Sequence, residues 1–238
     1  MVGIILAAGL GSRCKEITQK KHKALIEING KPNIENNIEF LFNQGVDKVI
    51  VITGYLREQF EYLKEKYKNV ELLFNPKFRE YNNIYSMYLA LPYIDDGFIT
   101  MEADIVVHKN VKYPLKNKKA IFTVMQREEK SLEWFPKVDK NGFVYKIDEL
   151  EDITKPSFIG ITYYSPEDAK IIKKEYEKYV VENEMIDSAS NYYWDKVGIN
   201  VIDKLNVEVV EFPQKTFTEI DNYNNYLSAI KNAESNIN

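Results

Sequence analysis

Short apolar runs rich in β-branched residues alternate along the chain with segments of helical periodicity. Residues 3–8 and 48–53 form two such runs, and between them the apolar side chains of residues 33–43 recur on one face of a predicted helix. Gly45 follows that helix at the position where a C-terminal cap is useful. Because parallel strands are joined by crossover helices, this order predicts a βαβ unit.

The same alternation continues through the rest of the chain. We predict further strands at 70–74, 97–101, 119–126, 137–147, 158–164 and 207–212, and further helices at 58–67, 84–91, 167–181 and 222–232. No internal repeat, linker or low-complexity tract interrupts the pattern. The chain is therefore predicted to have an α/β fold, in which a Rossmann-like, mixed, mostly parallel twisted sheet is flanked by helices.

The composition is that of a globular protein with a substantial core, since 45% of the 238 residues are hydrophobic and 13% are aromatic. The 32 basic and 36 acidic side chains leave a formal charge of -4 without a block of either sign, which argues against a nucleic acid as partner.

Cys14 is the only cysteine, which excludes an intrachain disulfide and a cysteine-based zinc site. The apolar residues 1–8 have no basic residues before them, and Arg13 and Lys15 follow too soon for a membrane span of about 20 residues. We therefore expect a cytoplasmic protein with no membrane partner.

A glycine-rich segment follows the first predicted strand. Gly9 and Gly11 let the backbone approach a ligand closely and expose successive N–H groups, which suits phosphate oxygens. Arg13 adds a permanently charged planar group that matches phosphate geometry. Two glycines also occur for steric reasons in tight strand-to-helix turns, so this segment alone leaves both interpretations open. Its spacing fits neither the Walker phosphate loop nor the dinucleotide fingerprint.

Three short motifs and their spacing together resemble a known family signature. The motifs are Leu6-Ala7-Ala8-Gly9-Leu10-Gly11-Ser12-Arg13, Lys23-Ala24-Leu25-Ile26 and Gly30-Lys31-Pro32. This combination resembles the signature of the MobA-like nucleotidyltransferases that activate sugars and phospho-alcohols. The resemblance implies the nucleotide-diphospho-sugar transferase fold, with one domain over residues 1–238. Within that domain we expect a nucleotide-binding half at about 1–110 and an acceptor-binding half at about 111–238.

The resemblance also implies a role for each matched residue. Leu6, Ala7, Ala8 and Gly9 are assigned to the base and ribose, Gly11, Ser12 and Arg13 to the phosphates, and Lys23, together with Arg13, to catalysis. A lysine at the reacting phosphate makes chemical sense, because phosphoryl and nucleotidyl transfer depend mostly on positioning and on stabilising developing charge. The chain departs from the signature in two places: residues 14–18 replace the usual Leu-x-Pro-Leu-Thr, and His22 stands where proline usually precedes the lysine.

Two aspartates match the metal-binding acids of these enzymes. Asp104 follows the strand predicted at 97–101, and Asp221 lies near the C-terminus. A reaction between two phosphate anions needs their repulsion suppressed, and the resemblance implies Mg²⁺ for that purpose. Glu102 and Glu219 precede the aspartates by two residues, a spacing at which extended side chains point the same way. Either glutamate could join the site or bind the acceptor.

The middle of the chain resembles the bacterial choline-phosphate cytidylyltransferases within this superfamily. The stretch that carries this resemblance is Tyr81-Asn82-Asn83-Ile84-Tyr85-Ser86, whose counterpart lies beside the cytosine. Asn83 and Ser86 can hydrogen-bond a pyrimidine edge, although the asparagine pair could equally cap the helix predicted from Ile84. The stretch therefore implies a cytidine nucleotide as donor.

The resemblance continues at 133–135, 192–195 and 217–221, so it spans nearly the whole chain. Aromatic faces and carboxylates attract a quaternary ammonium group, because the ring quadrupole binds a cation that has no N–H to donate. The residues assigned to the acceptor on this basis are Trp134, Tyr193, Trp194 and Glu219. Both tryptophans could instead belong to the hydrophobic core.

These expectations combine into a Mg²⁺-dependent cytidylyltransferase whose partners are CTP and a small phosphorylated or phosphonate amine. The most favoured acceptor is phosphocholine, activated for a cell-surface polysaccharide. Alternative acceptors are 2-aminoethylphosphonate and a phosphoglutamine, and an alternative reaction joins a sugar phosphate to UTP or dTTP. A catalytically silent nucleotide-binding subunit is the alternative outside the enzymes. No serine, cysteine and histidine constellation is present, which agrees with direct attack by an ionised acceptor oxygen and with structural roles for His22 and His108.

Overall fold

A central β-sheet organises the fold. The computed structural model of the protein describes residues 1–11, 18, 20–116 and 119–235. Within these ranges the strands are β1 (Val2–Ala7), β2 (Glu27–Ile28), β3 (Lys31–Pro32), β4 (Lys48–Thr53), β5 (Val70–Phe74), β6 (Phe98–Glu102), β7 (Ile105–Val107), β8 (Ala120–Gln126), β9 (Glu133–Val138), β10 (Val144–Leu150), β11 (Pro156–Tyr164), β12 (Val180–Val181), β13 (Glu184–Met185), β14 (Val207–Phe212) and β15 (Phe217–Glu219). The α-helices are α1 (Asn33–Asn43), α2 (Leu63–Lys66), α3 (Asn83–Ala90), α4 (Pro166–Tyr176), α5 (Asp195–Asn200) and α6 (Tyr223–Ser235).

The main sheet has the strand order β14-β8-β11-β6-β1-β4-β5. The pairs β1–β4, β1–β6, β4–β5 and β14–β8 are parallel. Strand β11 runs antiparallel to β6 and β8 on either side of it. The prediction of a mixed, mostly parallel sheet flanked by helices is confirmed.

Both faces of the sheet are buried, as the continuous apolar strands predicted. Every residue of β1 is buried. Ile4 and Leu6 belong to the hydrophobic cluster that contains residues of α3, whereas Ile5 and Ala7 belong to the cluster that contains residues of α1. Alternate side chains of one strand thus anchor two helical layers, which hold the carboxyl end of β1 in place.

The strand predicted at 137–147 is wrong, because a turn divides this segment into β9 and β10. The two strands pair antiparallel, and Oδ1 of Asp139 accepts hydrogen bonds from the backbone N–H groups of Asn141 and Phe143. Gly142 has a φ of 86°, which favours glycine. The turn at residues 139–142, which begins with an aspartate and ends with a glycine, therefore closes a hairpin. Apolar patterning alone does not detect this turn and predicts one continuous strand.

Two predicted helices are shorter than expected. The segment predicted as a helix at 58–67 is instead covered by a 3₁₀ turn, Arg57–Phe60, and the short α2. The helix predicted at 167–181 ends as α4 at Tyr176, and the hairpin β12–β13 follows, with positive φ angles at Glu182 and Asn183. Within the described ranges, none of the helices is both long and apolar enough to cross a membrane.

Candidate active site

The carboxyl end of β1 opens into a cleft of about 390 Å³. Of the predicted nucleotide-loop residues, those that line it are Leu6, Ala7, Ala8, Gly9 and Gly11. Gly11 has a φ of 62°, a left-handed conformation that favours glycine. The loop also needs Gly54 at the end of β4, since a Cβ there would lie 2.6 Å from the carbonyl oxygen of Ala8. The cleft therefore lies where open α/β sheets place their ligands.

The start of α3 forms the opposite wall of the cleft. Asn82 caps the helix, its Oδ1 accepting from the N–H of Asn83 at 3.0 Å, so capping is part of what the asparagine pair does. The Asn83 side chain donates to Glu102 at 2.9 Å and accepts from the backbone N–H of Trp194 at 2.7 Å. Ser86 is buried and accepts from Nδ2 of Asn75 at 3.0 Å. Both predicted base-reading side chains face the cleft, and each already has a protein partner.

Lys23 lies between two acidic side chains that are far from it in sequence. The 3₁₀ turn Lys23–Leu25 carries it, and its Nζ lies 2.7 Å from Oδ2 of Asp104 and 3.9 Å from Oδ1 of Asp221. Asp104 occupies the turn between β6 and β7, and Asp221 follows β15, which pairs with β7. The Lys23 side chain is 10% exposed, so water screens these contacts poorly. The predicted catalytic lysine and both predicted metal acids therefore lie together.

Three carboxylates converge beside this lysine. One oxygen from each of Glu102, Asp104 and Glu219 lies within 4.8 Å of the other two. Oδ1 of Asp104 is buried, with no hydrogen-bond partner in the described part of the chain. Hard oxygen atoms of this kind are the ligands that Mg²⁺ prefers. The predicted metal-binding pair was Asp104 and Asp221. The observed cluster contains Asp104 and both glutamates, and Asp221 lies near it because Lys23 forms ion pairs with both aspartates.

Burial raises the pKa values of two of these carboxyls. Burial, followed by the charges of Asp104 and Glu219, raises the pKa of Glu102 well above its usual range. Burial and the nearby aspartates also raise the pKa of Glu219 to about 7, although Arg127 opposes the shift. Negative charges held this close repel one another, and a bound cation relieves that repulsion. The donor set and its electrostatics both fit a divalent cation.

Arg127 links this cluster to the hairpin β9–β10. Its guanidinium donates to Glu219 at 2.9 Å and to Glu133 at 3.1 Å. It also donates to Oγ of Ser157 at 3.2 Å and to the carbonyl of Phe158 at 2.9 Å. An arginine with four partners holds Glu219 in one orientation. It also lines a second cleft of about 280 Å³ that reaches Glu219 and Asp221.

Two predicted acceptor residues present aromatic surface to solvent. Tyr193 is 45% exposed and lines the first cleft. Trp134 is half-buried and stacks on Phe158, with ring centroids 6.2 Å apart and an interplanar angle of 14°. Nζ of Lys196 lies 4.7 Å from the centroid of the Trp134 ring. The indole face therefore already attracts a cation in this structure.

Comparison with known proteins identifies the family. The family model for the MobA-like NTP transferase domain matches residues 3–118. The chain is 39% identical to choline-phosphate cytidylyltransferase of Haemophilus influenzae, over 95% of this chain and 94% of that protein. The chain belongs to the choline-phosphate cytidylyltransferase family. A 2-aminoethylphosphonate cytidylyltransferase of Lancefieldella rimae is 31% identical, over 92% of this chain and 87% of that protein. The solved structure of CTP:phosphocholine cytidylyltransferase from Streptococcus pneumoniae superimposes with a TM-score of 0.85 at 35% identity, covering 97% of this chain and 98% of that one.

Part of the nucleotide loop of this cytidylyltransferase family member lies outside the described residues. The predicted phosphate contacts of Ser12 and Arg13, and the departure at Cys14, fall there and stay predictions. The second departure is described: His22 is 4% exposed, and burial lowers its pKa to about 4. The imidazole is therefore neutral near pH 7.

Trp194 does not line the acceptor site, which corrects its assignment from the cytidylyltransferase resemblance. Its side chain is 0% exposed and packs edge-on against Phe98 and Tyr164, each with ring centroids 6.2 Å away. It directly precedes α5, which turns the indole toward the sheet while Tyr193 faces the cleft. The alternative that this tryptophan is a core residue is the correct one.

Replacing Trp194 with alanine is therefore expected to lower the free energy of unfolding by about 3 to 5 kcal/mol, because it leaves a large cavity in the core. Chemical denaturation followed by circular dichroism measures this change. Tyr193→Ala removes a neighbouring exposed ring and is expected to change the same quantity by less than about 0.5 kcal/mol. Equal stability losses in the two variants would contradict the core assignment of Trp194.

The contacts that sequence reasoning missed involve Asn75, Arg127 and Glu133. Asn75 is 1% exposed and directly follows the apolar strand β5, and this position after a strand is the signal that the sequence offers. Arg127 likewise follows the apolar strand β8. The partner of Asn75 is Ser86 on α3, and the partners of Arg127 lie on β9, β11 and β15. One sequence does not specify which of these elements meet.

Proposed function

We propose that this protein transfers CMP from CTP to phosphocholine, giving CDP-choline and pyrophosphate with the help of a divalent cation. The observation that carries the proposal is the placement of Lys23 between Asp104 and Asp221, in the lining of the glycine-rich cleft. Full-length similarity to choline-phosphate cytidylyltransferases supports the same donor and acceptor.

The chemistry is a direct displacement at the α-phosphorus of CTP. An ionised oxygen of the acceptor phosphate forms the new P–O bond, and the bond between the α-phosphorus and the pyrophosphate leaving group breaks. No proton has to be removed from the attacking oxygen, so no general base is required. The neutral, buried His22 agrees with this, since it is hydrogen-bonded to backbone groups instead.

Lys23 supplies positive charge where negative charge develops in the transition state. Its ion pair with Asp104 orients the ammonium group, and the 10% exposure of its side chain limits screening by water. Glu102, Asp104 and Glu219 would hold Mg²⁺, with Asp221 close by. Mg²⁺ supplies charge neutralisation between the two reacting anions.

The cytosine would be recognised at the wall formed by Asn75, Asn83 and Ser86. The Ser86 hydroxyl accepts from Asn75 and keeps its own hydrogen for a base acceptor. Asn83 reaches the base when its bond to Glu102 or to the backbone of Trp194 is exchanged for one to the pyrimidine. This wall therefore fits a small base that has both hydrogen-bond donors and hydrogen-bond acceptors on its edge.

The acceptor's ammonium group would lie over Trp134, where Lys196 now contributes its own ammonium. Arg127 connects this region to the carboxylate cluster, through Glu133 beside Trp134 on one side and Glu219 on the other. An acceptor with phosphate at one end and a cation at the other matches these two features. Tyr193, which lines the first cleft, offers a second aromatic surface.

Replacing Trp134 with alanine is expected to raise KM for phosphocholine about tenfold while KM for CTP stays unchanged, because the variant loses a cation–π contact on the acceptor side alone. Trp134→Phe keeps an aromatic face and is expected to recover most of the loss. Initial-rate kinetics with each substrate varied separately measures both constants. Tyr145→Ala, at a 60% exposed position on the neighbouring β10, is the control. A rise in KM for CTP instead would remove Trp134 from the acceptor site.

The proposal is tested by measuring pyrophosphate release with CTP, UTP, dTTP and ATP, each combined with phosphocholine, 2-aminoethylphosphonate or glucose 1-phosphate. We expect the highest kcat/KM with CTP and phosphocholine. A preference for 2-aminoethylphosphonate would retain the cytidylyl chemistry and replace the acceptor. Activity only with a sugar phosphate would overturn the proposal.

A further inference from the structure

His22 joins the two parts of the cleft that handle the nucleotide. Its Nε2 lies 3.2 Å from the carbonyl oxygen of Gly9, and its Nδ1 accepts from the N–H of Ala24 at 3.1 Å. A carbonyl can only accept and a backbone N–H can only donate, so both bonds form only when Nε2 carries the proton and Nδ1 does not. The geometry therefore specifies one neutral tautomer.

The neighbouring residues bond the backbone of His22 and pack against its ring. The backbone N–H of His22 donates to Oε1 of Gln59 at 2.9 Å, and Nε2 of Gln59 donates to the carbonyl of Lys20 at 2.9 Å. The ring meets Phe60 edge to face, with centroids 4.9 Å apart. Burial of the ring lowers the pKa of His22 to about 4, so the tautomer that both bonds need persists near neutral pH.

We propose that His22 is a positioning residue that ties the nucleotide loop to the turn carrying Lys23. The Nε2 bond holds Gly9, on the loop that lines the nucleotide cleft. The Nδ1 bond caps the 3₁₀ turn Lys23–Leu25 and so holds the base of the lysine side chain. The inference rests on the proposed function, since it assigns the loop to CTP and Lys23 to the reacting phosphate.

Two substitutions separate the two bonds. His22→Gln places an amide N–H near the position of Nε2 and loses the cap, so we expect kcat to fall at least about fivefold while KM for CTP changes little. His22→Asn keeps an acceptor for the Ala24 N–H and loses the contact with Gly9, so we expect KM for CTP to rise by a similar factor with kcat nearly unchanged. A role in general packing would change both variants alike, and that result would overturn the proposal.

His22→Pro tests whether backbone shape alone is sufficient. His22 has a φ of -61° and a ψ of 142°, so proline fits the backbone at this position. The variant removes both imidazole bonds and the N–H that binds Gln59. We expect KM for CTP to rise and kcat to fall together, whereas wild-type kinetics would show that the hydrogen bonds do not position the site.

The matched control is Gln44→Ala. Gln44 is also buried, and its side chain also bonds backbone groups, those of Phe40, Val111 and Tyr113. It does not line either cleft. We expect it to lower the thermal unfolding midpoint as much as the His22 variants do without changing KM for CTP or kcat. A matching kinetic change in the control would attribute the His22 effects to stability.

A measurement on the unsubstituted protein keeps this inference separate from the proposed reaction. Nitrogen-15 NMR of the histidine side chains distinguishes a protonated from a bare ring nitrogen. We expect His22 to show a protonated Nε2 and a bare Nδ1 at pH 7, and the opposite tautomer or an imidazolium would overturn the inference whatever the substrates are. If the protein uses another triphosphate, the kinetic tests are run with that triphosphate, and only the proposed function is then replaced.

Discussion

Replacing Lys23 with methionine is expected to lower kcat for cytidylyl transfer by about 100-fold to 1,000-fold. Methionine keeps much of the side-chain length and removes the charge that Nζ holds 2.7 Å from Asp104 and 3.9 Å from Asp221. Because this charge acts mostly on the transition state, KM for CTP is expected to change much less than kcat. Steady-state pyrophosphate release measures both constants.

The same substitution at Lys21 is the control. Its Nζ lies 2.8 Å from Glu27, but the Lys21 side chain is 45% exposed, so this ion pair contributes little. We expect Lys21→Met to keep kcat within about twofold of the wild type. If Lys23→Met retained comparable activity while folding normally, Lys23 would not be the residue that stabilises the transition state.

Asp104→Asn alone is expected to lower kcat by about 100-fold or more at fixed Mg²⁺, because it removes one charged ligand from the carboxylate cluster. The amide preserves the shape of the side chain and leaves Glu102 and Glu219 in place. The required Mg²⁺ concentration should rise as well, since each ligand charge contributes to cation affinity. Activity measured across a Mg²⁺ titration separates the two effects.

Thermal unfolding provides a reading of cation binding that does not depend on turnover. A cation that binds the folded state raises the unfolding midpoint, so we expect Mg²⁺ to stabilise the wild type and to stabilise Asp104→Asn much less. Asp96→Asn makes the same change at an exposed position before β6 and is expected to respond as the wild type does. An undiminished Mg²⁺ response in Asp104→Asn would place the cation site elsewhere.

Patterning predicted the strands and helices that build the centre of the fold. The apolar residues of β1 and β4 and the helical spacing in α1 were sufficient there, because burial on both faces leaves a continuous apolar signal. Patterning was wrong at β9 and β10, where the turn around Asp139 and Gly142 depends on local side-chain and backbone geometry. Each strand of this hairpin has only one buried residue, so the apolar signal that marks β1 and β4 is weak here.

The sequence predicted those residues of the candidate site that belong to recognisable motifs. Motif spacing selected Lys23, Asp104 and Asp221, and the fold brings them together. The same reasoning assigned Trp194 to the acceptor, because a sequence does not show whether an aromatic ring beside a helix faces the core or a cleft. The four hydrogen bonds of Arg127 could not be predicted either, since they join strands whose contact only the folded chain defines.

The most direct test of the proposed reaction follows the oxygen atoms of the acceptor. The protein is incubated with Mg²⁺, CTP and phosphocholine carrying oxygen-18 in its phosphate group, and both products are analysed by mass spectrometry. Direct attack on the α-phosphorus predicts CDP-choline that retains all of the label and pyrophosphate that contains none. Labelled pyrophosphate, or the absence of CDP-choline from this mixture, would contradict the account.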